Sequence, residues 1–460
     1  MNVNLRNWAA ALGVAGVTLW FSQIGLAQQA SFHIGDDEFS AVQPASHILN
    51  SNLFRTSANS AHCDSCDSPA CGCEQPKTCD ERPSCESKGD CDSRCGNLIG
   101  EECEAWTLFP NDNGHGITFN GWVQGGITLN SDNNAIRNDP VPFSSNAGEF
   151  YLNQLWATIE KATDTGGCGW DFGFRIDYVF GADGPDTQTF GSGGWDFGWN
   201  SSVEYGSAIP QIYGEIAYND VKVKLGHFFT IIGYEVVPAT GNFFYSHAYT
   251  MNYGEPFTHT GALAEWTVND NLTVWGGYTF GWDSGFDNYL DAHTFLGGVA
   301  AQVSEKVKVI WAANAGDFGD GTSAPGTSQN AGNIYMNSIV VDVALADRLN
   351  YVFQHDLGVN SGLGAGNSEW YGINQYLLYT INDCWKMGFR FEWFDDSDGA
   401  RIAGVDADYY DATIGMNWTP TANLTIRPEV RFDWTDGAPV FANGTRDNLQ
   451  TFAFDAIMTF

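Results

Sequence analysis

Arg427, Glu429, Arg431 and Asp433 take every second position of one short segment, and Arg390 and Glu392 do the same in another. Side chains two apart on an extended chain share a face, so each segment presents a row of mixed charge. The same parity puts Arg175, Lys222, Lys224, Lys308 and Lys386 on one face of their segments, with Asp171, Asp177, Glu215, Glu265 and Asp455 as acidic companions. Opposed rows of fixed charge across water create a transverse field that orders water and sorts ions. The plainer alternative is a set of neighbouring salt bridges that brace a wall. Neither role needs a nucleophile. His247 and His259 lie near Ser246 and Glu255, but no Gly-x-Ser-x-Gly elbow surrounds them. They read as packing and hydrogen-bonding groups, and the chain reads as a non-enzyme that takes no cofactor and no resident metal.

Two further groups of residues could bind ions. Aspartates cluster at 183, 186 and 196, at 283, 287 and 291, at 395, 396 and 398, and at 406, 408 and 411. Carboxylates suit divalent cations, yet none of these runs has the glycine and terminal glutamate of a calcium loop. Solvated, mutually repelling surface is the preferred reading. Nine of the eleven cysteines lie between Cys63 and Cys103. In an exported chain such a run reads as a disulfide-stapled segment, although Cys63-x-x-Cys66 alone has metal-ligand spacing. Because nine is odd, one thiol stays free, pairs between chains, or joins Cys168 or Cys384.

The elements that must position the charged rows are strands. Glycine is abundant (53 residues), aromatics make 14 % and charged residues only 16 % of the 460 positions. After residue 30 no apolar stretch approaches the roughly 20 residues of a membrane helix. Residues 1–27 read as a signal peptide, with Arg6, an apolar run from Ala9 to Phe21 and the small-x-small site Gly25-Leu26-Ala27. Residues 28–116 form an irregular, cysteine-rich periplasmic segment. From Ile117 the chain alternates apolar and polar residues at period two. Leu424, Ile426, Pro428, Val430, Phe432 and Trp434 oppose Thr425, Arg427, Glu429, Arg431 and Asp433.

Sixteen such segments can be drawn, at 117–129, 149–161, 169–181, 209–218, 221–229, 257–268, 271–281, 290–303, 305–316, 332–346, 347–357, 367–380, 383–395, 408–418, 421–434 and 448–460. Seven short turns alternate with eight long loops, the rhythm of an even-numbered barrel with both chain ends on one side. The fold expected is all-β: a transmembrane antiparallel up-and-down β-barrel of about 16 strands, within a range of 14–18, over residues 117–460. Closure follows from the lipid, where every backbone donor and acceptor needs a partner within the protein. Pro428 in mid-strand calls for a local bulge. Trp170, Trp385, Trp393, Tyr410, Trp418 and Trp434 sit near strand ends, as an interfacial girdle requires.

The stretch Gly226-His227-Phe228-Phe229-Thr230 through Gly233-Tyr234-Glu235, then Phe244-Tyr245-Ser246-His247 and Glu255-Pro256-Phe257-Thr258-His259-Thr260-Gly261, resembles the putative beta-barrel porin-2 (OmpL-like) family. The resemblance implies an outer-membrane channel without catalytic residues, and the terminal Phe460 resembles the C-terminal aromatic of outer-membrane barrels. The function expected is passive diffusion of ions and small hydrophilic solutes, in contact with outer-membrane lipid. Loop 230–256 would narrow the channel through Tyr234, Glu235, Phe244, Tyr245, His247 and Glu255, with His259 just beyond it. A cap on top of the barrel or a subunit contact is the alternative role for this loop. Arg175, Lys222, Lys224, Lys308, Arg390, Arg427, Arg431, Glu265, Glu392, Glu429 and Asp433 would line the pore. A sugar-selective channel is the runner-up, with Trp122, Trp156, Trp275, Trp370 and Tyr376 facing the lumen by parity and open to stacking on sugar rings. A structural or adhesive barrel, tied to the cell wall through its cysteine-rich segment, is the third reading. Sixteen-stranded porins are often homotrimers, which is an analogy of fold alone. A formal net charge of −35 and the lack of a basic patch exclude nucleic acid as a partner.

Overall fold

The computed structural model describes residues 105–460, apart from short stretches at 110–113, 133–136, 144–146, 190–194, 200–203, 289–290, 319–331, 364–365, 397 and 403–405. The expected signal peptide at 1–27 and the cysteine-rich run at 63–103 lie outside the described residues.

Sixteen strands form one closed antiparallel barrel. They are β1 (Ile117–Asn130), β2 (Phe150–Lys161), β3 (Trp170–Gly181), β4 (Gly206–Tyr218), β5 (Val221–Phe229), β6 (Thr258–Asn269), β7 (Leu272–Thr279) and β8 (His293–Ser304), followed by β9 (Val307–Asp317), β10 (Asn333–Ala346), β11 (Leu349–Leu363), β12 (Gly366–Asn382), β13 (Trp385–Asp396), β14 (Ala407–Thr421), β15 (Leu424–Gly437) and β16 (Asn448–Thr459). Each strand pairs with its neighbours in sequence, and β16 closes on β1 in the register Gly126↔Asp455. The seam ends in a reciprocal pair of backbone bonds between Gly121 and Phe460, at 3.1 and 2.9 Å. Closure leaves no edge strand.

Alternation sets the two faces. On β3, Trp170, Phe172, Ile176 and Tyr178 are exposed on the outside, and Arg175 and Asp177 point inward. Phe389, Ile414, Phe432, Phe452 and Phe454 continue the outer band on later strands. Near its margins, Trp385 stacks on Trp418 at 5.6 Å and Tyr410 on Trp434 at 5.2 Å. Rings of this kind suit the boundary between hydrocarbon and headgroups.

Two local expectations change. A long loop was expected between β11 and β12. The strands instead continue pairing as far as Leu363↔Gly366, through Asn360↔Ser368. The run from Gly358 to Gly366 lacks apolar alternation, but two such backbones still satisfy each other. Pro428 is not accommodated by a bulge. The β14–β15 register holds on either side of it, with Gly415↔Glu429 and Trp418↔Ile426, while the intervening pairs are missing. The missing proline N–H thus costs a gap in one ladder, and the irregularity of register falls nearer the turn, between Trp418 and Thr421.

Candidate functional site

Residues 230–257 link β5 to β6 and turn into the barrel, where they pack on the far wall. The anchoring is done by the charged rows. Glu429 of β15 accepts the N–H groups of Tyr245 and Ser246 at 2.8 and 3.1 Å. Glu392 of β13 accepts those of Tyr249 and Thr250 at 2.7 and 2.6 Å, and the Thr250 hydroxyl at 2.6 Å. Glu235, within the loop, accepts the Ala248 N–H at 2.8 Å. Three carboxylates therefore hold five backbone donors between residues 245 and 250, charge-assisted bonds of the stronger kind.

Arginines hold the carbonyls. Arg390 Nη1 donates to Ser246 O and to Glu235 Oε1, both at 2.8 Å, while its Nε donates to Asp411 at 2.7 Å. Arg431 Nη1 donates to His247 O at 2.5 Å, and its Nε binds Asp433 at 2.8 Å. Arg427 Nη1 reaches Ala239 O and Asn242 O at 3.0 and 2.8 Å and pairs with Asp455. Tyr249 adds a hydroxyl bond to Asp433 at 2.6 Å.

The loop also needs space. A Cβ on Gly388 would stand 2.4 Å from the Phe243 ring, and one on Gly372 would stand 2.5 Å from Thr250 Oγ1. Both glycines are wall positions where the loop approaches the backbone closely. Gly233, at φ +88°, turns the chain beside the Glu255 carboxyl.

Arg390, Arg427, Arg431, Glu392, Glu429 and Asp433 thus come together on the inner wall, buried under the loop. Arg175, Lys222, Lys224, Lys308 and Glu265 lie apart from them on β3–β9. There Arg175 pairs with Asp177 at 3.0 Å, Lys222 with Glu265 at 3.1 Å, and Lys224 sits 4.9 Å over the Tyr213 ring. The loop residues named from sequence are all inside. Tyr234 packs on Tyr376 at 4.7 Å, Phe244 lies under Arg390, and Tyr245 donates its hydroxyl to Asn153 at 3.0 Å. His247 rests 4.5 Å from the Phe143 ring, and the Gln354 amide donates to Glu255. His259 is engaged by Thr230 Oγ1 and Gly281 O, and Ser246 Oγ accepts from Arg390 at 3.1 Å. Between the loop and the β3–β4 wall remains a cleft bordered by Arg175, Gln211, Val236, Pro238, Met251 and Pro256.

The inward aromatics are occupied as well. Trp122 stacks on Trp156 at 4.7 Å inside a cluster that includes Val237, Ala239, Ala248 and Met251 of the loop. Trp275 donates to Glu265, Trp370 to Gly254 O, and Tyr376 to Glu235. The loop aspartates act as backbone caps: Asp396 accepts N–H bonds from Ala400, Arg401 and Ile402, and Asp283 accepts them from Phe257 and Thr258. Asp411 lies in β14, paired with Arg390. Sequence parity alone did not single out Gln154, whose amide bridges Val237 O and the Ala239 N–H at 2.8 and 3.0 Å. A glutamine amide carries no charge pattern by which it could have been found.

Burial raises the Glu235 carboxyl, but the Arg390 guanidinium and the His247 ring beside it prevail and hold it down to about 2. Glu255 goes the other way. Burial and the neighbouring Asp356 carboxyl push it well above the usual carboxylate range.

A closed sixteen-stranded barrel with an apolar outer band, a charged inner wall and a long infolded loop after its fifth strand is a porin of the bacterial outer membrane. The family model described as putative beta-barrel porin-2, OmpL-like, matches residues 116–460. The chain belongs to that family. Solved structures share the fold. The outer membrane channel DcaP of Acinetobacter baumannii superposes with a TM-score of 0.50 at 10 % identity, covering 75 % of this chain and 97 % of its own. An anion-selective porin from Comamonas acidovorans gives a TM-score of 0.50 at 10 % identity, over 75 % of this chain and 99 % of its own. No curated protein matches the sequence.

Proposed function

We propose that this porin is a passive channel for ions and small hydrophilic solutes, narrowed by residues 230–257. The observation that carries the reading is the way this loop is fixed, by Glu392, Glu429 and three arginines bonded to its backbone. Side chains bonded to backbone impose a fixed bore whatever the loop's surface residues are, as a size filter requires. Solutes would pass on the side of Arg175, Lys222, Lys224, Lys308 and Glu265, and the charges under the loop would act as its fastening. With Lys and Arg at 14 against Asp and Glu at 40 in residues 117–460, the difference of −26 favours cations weakly at the mouth. We further propose that the chain acts without catalysis, assembles as a homotrimer and starts with a cleaved signal peptide.

The test is single-channel conductance in a planar bilayer. Stable steps are expected, unchanged by added oligosaccharides, and replacing residues 236–252 with a Gly-Ser linker should enlarge them. Block by sugars would favour the sugar-selective channel instead. One observation supports a second reading, a structural barrel: the loop buries six of the charged wall residues completely or nearly so. Absence of steps from a folded, heat-modifiable barrel would make that reading the better one.

A further inference from the structure

In and under the loop, Glu235, Asp411 and Asp455 are each paired with an arginine. Glu255, the last acidic residue of the loop, meets another carboxyl instead. Asp356 of β11 lies within hydrogen-bonding reach of it, and both side chains are buried. Two ionised carboxylates have no donor to offer each other. One neutral group bridges them: Gln354 Nε2 donates to Glu255 Oε1, and to Asp356 Oδ1 at 3.0 Å. An amide fixes the pair in place but leaves its charge uncompensated.

The wall around the pair supplies further oxygens. Strand register puts Ser338 of β10 opposite Asp356, and Asn374 of β12 opposite Gln354. Opposed side chains on one face of a sheet stand about 5 Å apart. Asp356 Oδ2, Ser338 Oγ and Asn374 Oδ1 are all buried without a hydrogen bond of ordinary geometry, which is costly unless something else satisfies them. None of the five side chains is more than 5 % exposed. A donor set of oxygen alone, two anionic and two neutral, suits a hard divalent cation such as calcium, whose coordination geometry is flexible. Softer metals favour imidazole or thiolate. Among the described residues no three His, Cys, Asp or Glu side chains gather as ligands, so the neutral oxygens are what complete this set. Charge separates a cation from a proton: one shared proton leaves a net negative charge on the pair, and a divalent ion leaves none. Glu255 also borders the cleft beside Arg175, which gives an ion a path from the lumen.

We propose that Glu255, Asp356, Ser338 and Asn374 bind one calcium-like divalent cation, which fastens the end of the loop to β10–β12 as the arginines fasten its middle to β13 and β15. Gln354 keeps its role as the donor that orients both carboxylates. The expectation of no resident metal could not anticipate such a site, because its ligands come from three strands and a loop. The site does not depend on whether the barrel conducts.

Terbium(III) serves as the luminescent probe in place of calcium. Trp370 is its sensitiser, since its Nε1 donates to Gly254 O at 3.0 Å, next to Glu255. The full-length folded protein is stripped with a chelator and titrated under tryptophan excitation, at high ionic strength to screen exposed acids. Saturable emission is expected, and calcium should displace it. In D356N and in E255Q the affinity should fall by at least about tenfold, whereas D287N, at an exposed acid of the outer loops, should leave it unchanged. Limited proteolysis gives a second readout: calcium should slow cleavage within residues 247–254 of the unaltered protein and have no effect in E255Q. Heat-modifiable mobility reports folding of each variant, and E255Q alters no strand, so a misfolded D356N would not remove the test. Absence of saturable emission from the unaltered protein would overturn the site. So would equal affinity in E255Q, which would mean that terbium binds elsewhere and the carboxyl pair holds a shared proton only.

Discussion

At the scale of single residues, the wall charges beneath the loop work as fastenings. Arg390 illustrates the stakes, because it touches Asp411, Glu235, Ser246 O and Ser246 Oγ from a fully buried position. Removing one partner of a buried pair strands the others and costs about 3–5 kcal/mol. Arg390→Ala should therefore lower the unfolding midpoint in urea and turn steady conductance into flicker, whereas an exposed pair such as Arg137–Asp139 should be silent on both counts. The loop carboxyls give a pH dependence with a definite sign. Glu255 is raised by burial and by Asp356, so the docked loop prefers its protonated form. Docking is then at full strength below the ordinary carboxylate range and is lost as pH rises through the raised value. Asp283, pushed up to about 6 by burial, acts in the same direction. Glu235, held at about 2, contributes docking strength that disappears only near that pH. Open-channel noise should accordingly grow from pH 5 to pH 9, and Glu255→Gln should flatten most of that rise. A profile unchanged by E255Q would mean that the carboxyl does not govern docking.

At the scale of elements, the strands were legible because period-two alternation is local and the lipid enforces it on every strand. Tyr410–Trp418 and Leu424–Trp434 could be assigned to faces with no knowledge of their neighbours. The β11–β12 hairpin was not legible, since Gly358 to Gly366 carry no alternation and their pairing depends on each other. The loop is a similar case. Its apolar and aromatic content marked it as unsuited to solvent, yet which wall residues receive it is a matter of tertiary register. Thus Arg390, Arg431, Glu392 and Glu429 could be given a face from sequence but not a partner. The receiving glycines add a prediction at this scale. Gly372 leaves room for Thr250, whose N–H and hydroxyl both bind Glu392. Gly372→Val should push that end of the loop off its carboxylate while keeping β12 in register, because valine suits a strand. Limited proteolysis should then cut within residues 247–254 while heat-modifiable mobility stays normal. Protection equal to that of the unaltered protein would show that the wall yields in place of the loop.

At the scale of the whole molecule, the barrel is divided in two by its own loop. On the β13–β16 side charge is buried and internally paired, so it contributes rigidity and little field to passing ions. On the β3–β9 side Arg175 and Lys222 have acidic partners, while Lys224 lies against the Tyr213 ring. The field a solute meets should therefore depend on the second set and hardly on the first, although both sets look alike in sequence. Lys224→Glu reverses one charge on the proposed conducting side without breaking an ion pair, so the reversal potential in a tenfold salt gradient should move towards the cation limit. Arg427→Gln, beneath the loop, should alter stability and noise but leave the reversal potential nearly in place. If the two substitutions shift selectivity equally, ions pass on both sides of the loop and the division fails. If only Arg427→Gln shifts it, the route runs on the opposite side, and the charges assigned here to fastening would be those that sort the ions.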